Sequence, residues 1–150
     1  MATFATDTNL LEYEPQIKQF GIQEYTTEHE KTYEDIVRLL NIKWWPTTEF
    51  GRYDLTASST IATKLDTTKL DPTQFIRAAV YHVLAYYIYP KLSTFEVDGD
   101  VFTNKRVYYK EKFEEEMDLI LRVGVSYDID ESGTFEDGEK QTFYNGRLIR

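Results

Sequence analysis

The stretch DPTQFIRAAVYHVLAYYIYP, residues 71–90, decides the fold. Asp71 is expected to cap a helix, and Pro72 fits the first helical position, where its missing N–H costs nothing. From residue 75 to residue 89 the sequence is apolar or aromatic almost all round, which predicts a helix that is covered on most sides. We therefore expect this helix to form the centre of the core and to end near Pro90.

Three further helices are predicted around it. Residues 7–22 carry apolar positions at helical spacing, and Pro15 predicts a kink or two short pieces. Residues 27–41 show one amphipathic face, with apolar residues at i, i+3, i+4 and i+7. Residues 101–123 have a second amphipathic pattern and a charged opposite side, and Gly124 is a typical C-terminal stop.

Residues 42–70 have no sustained period and are rich in Ser and Thr, with Trp44 and Trp45 near their start. A structureless segment of this length is usually functional or disordered, and the aromatic residues argue against pure disorder. Two interpretations remain open. The loop is ordered against a neighbouring subunit, or it folds on its own domain with the two Trp side chains capping the core.

Beyond the last predicted helix, Asp137-Gly138 and Asn145-Gly146 are strong signals for type I′ hairpins. A chain of 150 residues is ordinary for one domain. We therefore predict a mainly α protein: a small bundle of about four helices over residues 1–124, which includes the long loop 42–70. Residues 125–150 are predicted to be an extended C-terminal arm with a short β-hairpin.

Aromatic residues are unusually common, with twelve Tyr, nine Phe and two Trp. Tyr and Trp bury a large area and keep a polar tip for water or a partner. The enrichment indicates either a protein with extensive contacts or a Tyr-rich core. The net charge of −9 argues against a protein that reads DNA or RNA sequence.

The chain has no cysteine, which excludes disulfides, thiolate metal sites and cysteine nucleophiles. The N-terminal sequence lacks the basic region and the apolar run of a signal peptide. The longest apolar-rich run has 15 residues and contains Arg77 and His82, so it is too short and too polar to span a bilayer. These features predict a soluble protein that is made in a cytoplasm and does not bind a membrane.

The acidic stretch YDIDESGTFEDGE, residues 127–139, matches part of a calcium-loop pattern. Calcium needs several converging oxygen ligands, which a twelve-residue loop supplies from alternate positions. The candidate ligands, on residues 128–139, are Asp128, Asp130, Ser132, the carbonyl of Thr134, Glu136 and Glu139. The alternative is a structural turn, with Gly133 at a positive φ and a chain reversal at Asp137-Gly138.

Other chemistry is sparse in the sequence. His82 lies on the predicted buried helix and is more typical of a satisfied core residue, and His29 lies in a first helical turn. Neither has the clustered partners of a metal site, and no phosphate-cradling glycine loop or nucleophile elbow is present. We therefore expect neither an enzyme nor a bound cofactor or metal.

The second half of the chain, roughly residues 71–150, resembles the head–tail connector proteins of tailed bacteriophages, also called adaptor or head completion proteins. The resemblance lies in the order of four stretches. They are LDPTQFIRAAVYHVLAYYIYP, then DVFTNKRVYYKEKFEEEMDLIL, then RVGVSYDIDESGTF, and finally the basic and apolar NGRLIR.

This resemblance implies a structural virion protein of the neck, made in the host cytoplasm. Such proteins assemble as a ring, commonly of twelve copies, under the portal protein, extend the DNA channel and present a surface to a stopper or tail protein. DNA passes through without sequence-specific binding, and no catalytic residues are carried over. By position, the implied interface residues are Phe143, Tyr144, Arg147, Leu148, Ile149 and Arg150, with Trp44 and Trp45 as further candidates. A small calcium-dependent binding module that uses residues 128–139 is the alternative.

Overall fold

The computed structural model describes residues 2–45, 65, 67–92, 101–128, 132–133 and 140–141. These residues are mainly helical, which confirms the predicted fold class. The α-helices are α1 (Asp7–Tyr13), α2 (Thr26–Lys43), α3 (Ile76–Val83), α4 (Tyr89–Leu92) and α5 (Val101–Val123). Two short strands, β1 (Val125–Ser126) and β2 (Lys140–Gln141), pair antiparallel.

The first predicted helix forms as two short pieces, as expected from Pro15. Helix α1 ends at Tyr13, and a 3₁₀ turn follows at Ile17–Phe20. The proline cannot donate a backbone hydrogen bond and its ring blocks a continuous helix, so the chain breaks between the two pieces.

The central helical stretch, residues 76–92, contains a wide turn that the sequence did not predict. After a 3₁₀ turn at Pro72–Phe75, α3 leads into a π-helical segment, Leu84–Ile88, and then directly into α4. A π turn is one way to fit the ring of Pro90, which has no N–H for the carbonyl four residues back. The helix therefore continues past Pro90, where we expected it to end.

The chain forms two compact units. The first contains residues 1–34 and 75–117, and the second contains residues 35–74 and 118–150. The largest buried side chains of the first unit are Leu10, Ile17, Tyr25, Phe75, Leu84, Ile88 and Tyr89. The buried apolar side chains of the second unit include Ile36, Leu40, Trp44, Leu70, Val125 and Tyr127.

In the second unit, the backbone of residues 125–128 forms hydrogen bonds to β2 on one side and to residues 69–71 on the other. Strand β1 pairs with β2 in the register Val125↔Gln141. On the other side, the Asp128 N–H donates to the Lys69 carbonyl over 2.9 Å, and the Asp71 N–H donates to the Ser126 carbonyl over 3.3 Å. The antiparallel β1–β2 pair brings residues 125–126 beside residues 140–141. The predicted hairpin turn at Asp137-Gly138 lies outside the described residues.

The Asn145-Gly146 hairpin signal and most of the predicted loop 42–70 lie outside the described residues. Within the described part of the chain, no helix combines the length and the apolar character that a membrane crossing needs.

Candidate functional site

The first part of the acidic stretch is a turn held by one carboxylate. Asp128 Oδ1 accepts the Ser132 N–H over 3.0 Å, and Asp128 Oδ2 accepts the Gly133 N–H over 2.8 Å. Gly133 has φ +87°, a conformation that favours glycine. Gly133 therefore has the positive φ that the structural-turn interpretation predicted, and the chain reversal predicted at Asp137-Gly138 lies outside the described residues.

The calcium hypothesis stays a prediction. Four of its ligands, Asp130, Thr134, Glu136 and Glu139, lie outside the described residues. Both oxygens of Asp128 already accept backbone donors, so a cation would have to share them. Among the residues that the structure describes, no three His, Asp or Glu side chains are grouped as metal ligands.

Trp44 and Trp45 pack within the second unit around Tyr127. Each Trp ring centroid lies 5.7 Å from that of Tyr127, and the two Trp centroids are 5.9 Å apart. Trp44 is 0% exposed and Trp45 is 8% exposed. The prediction that these two side chains contact a neighbouring subunit is therefore corrected: the chain itself covers both rings, and they cap its own core.

Gln74, in the 3₁₀ turn at Pro72–Phe75, connects that turn to the start of β1. Its Nε2 donates to the Gly124 carbonyl over 2.9 Å, and its Oε1 accepts the Ser126 N–H over 2.9 Å. The Gln74 side chain thus bonds the carbonyl of the residue before Val125 and the N–H of the residue after it, as the backbone of a neighbouring strand would. This pair of hydrogen bonds, called the Gln74 fork below, was not predicted. A single Gln at the start of a helix carries no local signal for a partner fifty residues away.

In the first unit, Asp7 and His29 form a buried pair beside a cleft. Asp7 Oδ1 lies 3.0 Å from His29 Nε2, and Asp7 Oδ2 lies 3.1 Å from Lys18 Nζ. A carboxylate cannot donate, so Nε2 carries the imidazole hydrogen and Nδ1 carries the lone pair. Burial lowers the pKa of His29, and the smaller opposing effect of Asp7 does not reverse this.

The cleft beside this pair has a volume of about 230 Å³ and is lined mainly by Thr side chains. His29 is only 3% exposed, and its Nδ1 is buried without a hydrogen-bond partner. A nitrogen with no accessible surface cannot reach a molecule in the cleft. The arrangement therefore fixes a neutral imidazole in the fold and does not present a base to a substrate. The sequence interpretation of His29 missed its pairing with Asp7.

In the first unit, three polar side chains contact the carboxylate of Glu14. Tyr89 Oη donates to Glu14 Oε1, Lys105 Nζ lies 3.0 Å from the same oxygen, and Tyr109 also bonds to this carboxylate. Burial, followed by the contact with Glu14, raises the pKa of both tyrosines far above the ordinary value. Through Glu14, this polar cluster joins the end of α1 to the central helix and to α5.

His82 is the satisfied core residue that the sequence predicted. Its Nδ1 lies 3.2 Å from Thr32 Oγ1, and its ring stacks on Tyr86 with centroids 4.5 Å apart. The Phe113 ring meets it edge-on at 4.8 Å.

Large apolar side chains remain exposed on the described residues. Eight of them are between 42% and 68% exposed, namely Phe20, Ile42, Tyr86, Val101, Val107, Tyr108, Leu119 and Val123. The predicted interface residues Phe143, Tyr144, Arg147, Leu148, Ile149 and Arg150 lie outside the described residues. No family model, no curated protein and no solved structure matches this chain.

Proposed function

We propose that this chain is a structural virion protein, an adaptor ring subunit that joins the portal vertex of a bacteriophage capsid to the tail. In this role it binds the portal protein, copies of itself and a stopper or tail protein, and it works in the virion neck. The proposal has two supports: the resemblance over residues 71–150, and the exposed apolar surface.

The exposed apolar surface is the observation that carries the proposal. Tyr86, Val101 and Tyr108 in the first unit are 42%, 65% and 53% exposed, although the same unit buries other tyrosines such as Tyr25 and Tyr89. Scattered single apolar residues are normal on a surface, but a set this large on a Tyr-rich chain favours contacts with other proteins. A subunit of an assembly needs such contacts on several sides.

The charge of the chain fits the proposed channel. A net charge of −9 repels the phosphate backbone, so DNA would slide past a wall of such subunits without adhering. The polar clusters fit a structural role as well, because Asp7–His29 and Glu14–Tyr89 hold elements of the fold together.

The test is native mass spectrometry of the chain mixed with the portal ring encoded by the same genome. We expect a complex that carries a full ring of copies. The double variant Arg147→Glu/Arg150→Glu should lose most of this binding, because both residues are implied portal contacts. The matched control Lys43→Glu/Lys110→Glu makes the same charge change at two exposed helical lysines and should bind normally.

Two results would contradict the proposal. The first is no association of the wild-type chain with the portal ring. The second is an equal loss of binding in both double variants, which would mean that net charge alone governs the association.

A further inference from the structure

The outward side of α5 in the first unit has the spacing of a helix-pairing seam. Val101, Lys105, Tyr108, Lys112 and Glu115 follow one another at intervals of four, three, four and three residues. At 3.6 residues per turn, this spacing places them on one face of the helix. Val101 and Tyr108 are 65% and 53% exposed, and the buried side of the same helix carries Tyr109, Phe113 and Met117.

Charge is segregated along this part of α5. On the face defined above, the basic Lys105 and Lys112 come first and the acidic Glu115 comes last. A helix with this order is complementary to a second copy of itself when the two run antiparallel. A parallel pairing would set like charges side by side.

We propose that the free chain forms a twofold dimer in which residues 103–117 of α5 pair antiparallel with the same residues of a second copy. With the pairing centred near residue 110, Lys105 of one copy lies opposite Glu115 of the other. Tyr108 lies opposite Lys112, a pairing that already occurs within one chain, where Lys112 Nζ is 5.5 Å from the Tyr108 ring centroid.

The side chains of Glu115 and Lys105 are exposed and can reach a second copy. Glu115 is 66% exposed and its ion pair with Lys112 is long, at 3.6 Å. Lys105 is 45% exposed and bonds to Glu14 through one of its three N–H donors, which leaves donors for a second carboxylate. A twofold contact of this kind is isologous, so each pairing occurs twice.

The dimer is weak and depends on concentration. Fifteen helical residues span about 22 Å, and one face of a helix of that length buries less than the roughly 1,000 Å² of a stable interface. The charge of −9 on each copy also opposes association. The inference does not depend on the adaptor role, because it concerns the free chain without a portal ring. In a ring the contacts are head-to-tail, so the dimer would have to separate before ring assembly.

The first test is sedimentation equilibrium of the full chain over a wide concentration range at about 0.15 M salt. The mass should rise with concentration from 17.7 kDa toward twice that value. Glu115→Lys, which sets a lysine opposite Lys105, should weaken the association at least tenfold. Glu114→Lys makes the same charge change one residue earlier, about 100° away around the helix, and should dimerise like the wild type.

The second test fixes the direction of pairing, and it uses the absence of native cysteine. A mixture of Asn104→Cys and Glu115→Cys chains should form mainly the mixed disulfide, because antiparallel pairing brings positions 104 and 115 of different copies together. A chain that stays monomeric at every concentration would overturn the inference. Equal weakening by both charge variants, or a preference for the two homodimeric disulfides, would do the same.

Discussion

Replacing Gln74 by Ala should destabilise the second unit by about 2–4 kcal/mol. The substitution removes the donor to the Gly124 carbonyl and the acceptor of the Ser126 N–H, both at 2.9 Å. Gly124 and Ser126 are buried, and each unsatisfied buried group costs about 1–3 kcal/mol. Both bonds are only partly buried, so water recovers some of the loss and the sum stays below the upper limit.

The assay is urea unfolding followed by Trp fluorescence. Trp44 and Trp45 are the only tryptophans of the chain, and both lie in the second unit, so the signal reports on that unit. With a urea m-value of about 2 kcal/mol/M, the unfolding midpoint should fall by about 1–2 M. Gln23→Ala, at an exposed glutamine of the first unit, is the matched control and should leave the midpoint almost unchanged.

A second variant separates the two hydrogen bonds. Gln74→Glu keeps an acceptor for the Ser126 N–H but at neutral pH sets a carboxylate oxygen against the Gly124 carbonyl. The native state then favours the protonated carboxyl, so the penalty should shrink as the pH falls from 7 to about 4. If Gln74→Ala shifts the midpoint no more than Gln23→Ala while the native fluorescence is retained, the fork contributes nothing and the reasoning is wrong.

Three further predictions concern the other clusters. Burial lowers the pKa of His29, so as the pH falls the unfolded chain takes up a proton at His29 before the folded chain does. The melting temperature should therefore fall as the pH drops below about 6.5, and His29→Gln should reduce that fall. Because burial and Glu14 raise the pKa of Tyr89 and Tyr109, an alkaline absorbance titration should leave at least these two tyrosines un-ionised until the chain unfolds. Tyr89→Phe should lower the number of tyrosines that ionise only on unfolding by one. If Asp128 serves only the turn, melting curves with calcium and with a chelator should coincide. A calcium-dependent rise in melting temperature that Asp130→Asn removes would instead support the hypothesis of a calcium-dependent binding module.

The parts of the fold that sequence could predict are those set by local patterns. The apolar run of residues 75–89, the break at Pro15 and the stop at Gly124, which has φ +111°, each depend on neighbouring residues alone. The π turn at Leu84–Ile88 was missed because it depends on how the whole helical stretch accommodates Pro90. The sequence left open whether Trp44 and Trp45 are buried in their own chain, because an aromatic pair is typical both of a core and of an interface.

The polar clusters could not be predicted because their members are far apart in the chain. Glu14 meets Tyr89 across 75 positions, Gln74 meets Ser126 across 52, and Asp7 meets His29 across 22. Each residue alone is compatible with a solvent-exposed position. Only the fold brings the partners together, and no local motif marks such a pair.

The acidic stretch illustrates why a motif has to be weighed against the backbone that carries it. A calcium loop needs carboxylates whose oxygens converge on one ion. The oxygens of Asp128 accept the N–H groups of residues 132 and 133, and each oxygen keeps a lone pair that a cation could use. The preceding residues are fixed by Lys69, Asp71 and the Gln74 fork, and β2 pairs with β1 at the far end of the stretch. The same Asp, Ser and Gly that match the calcium pattern are thus also joined by these hydrogen bonds. The hydrogen bonds among Asp128, Ser132 and Gly133 account for these three residues without a cation, and the calcium titration is the measurement that separates the two interpretations.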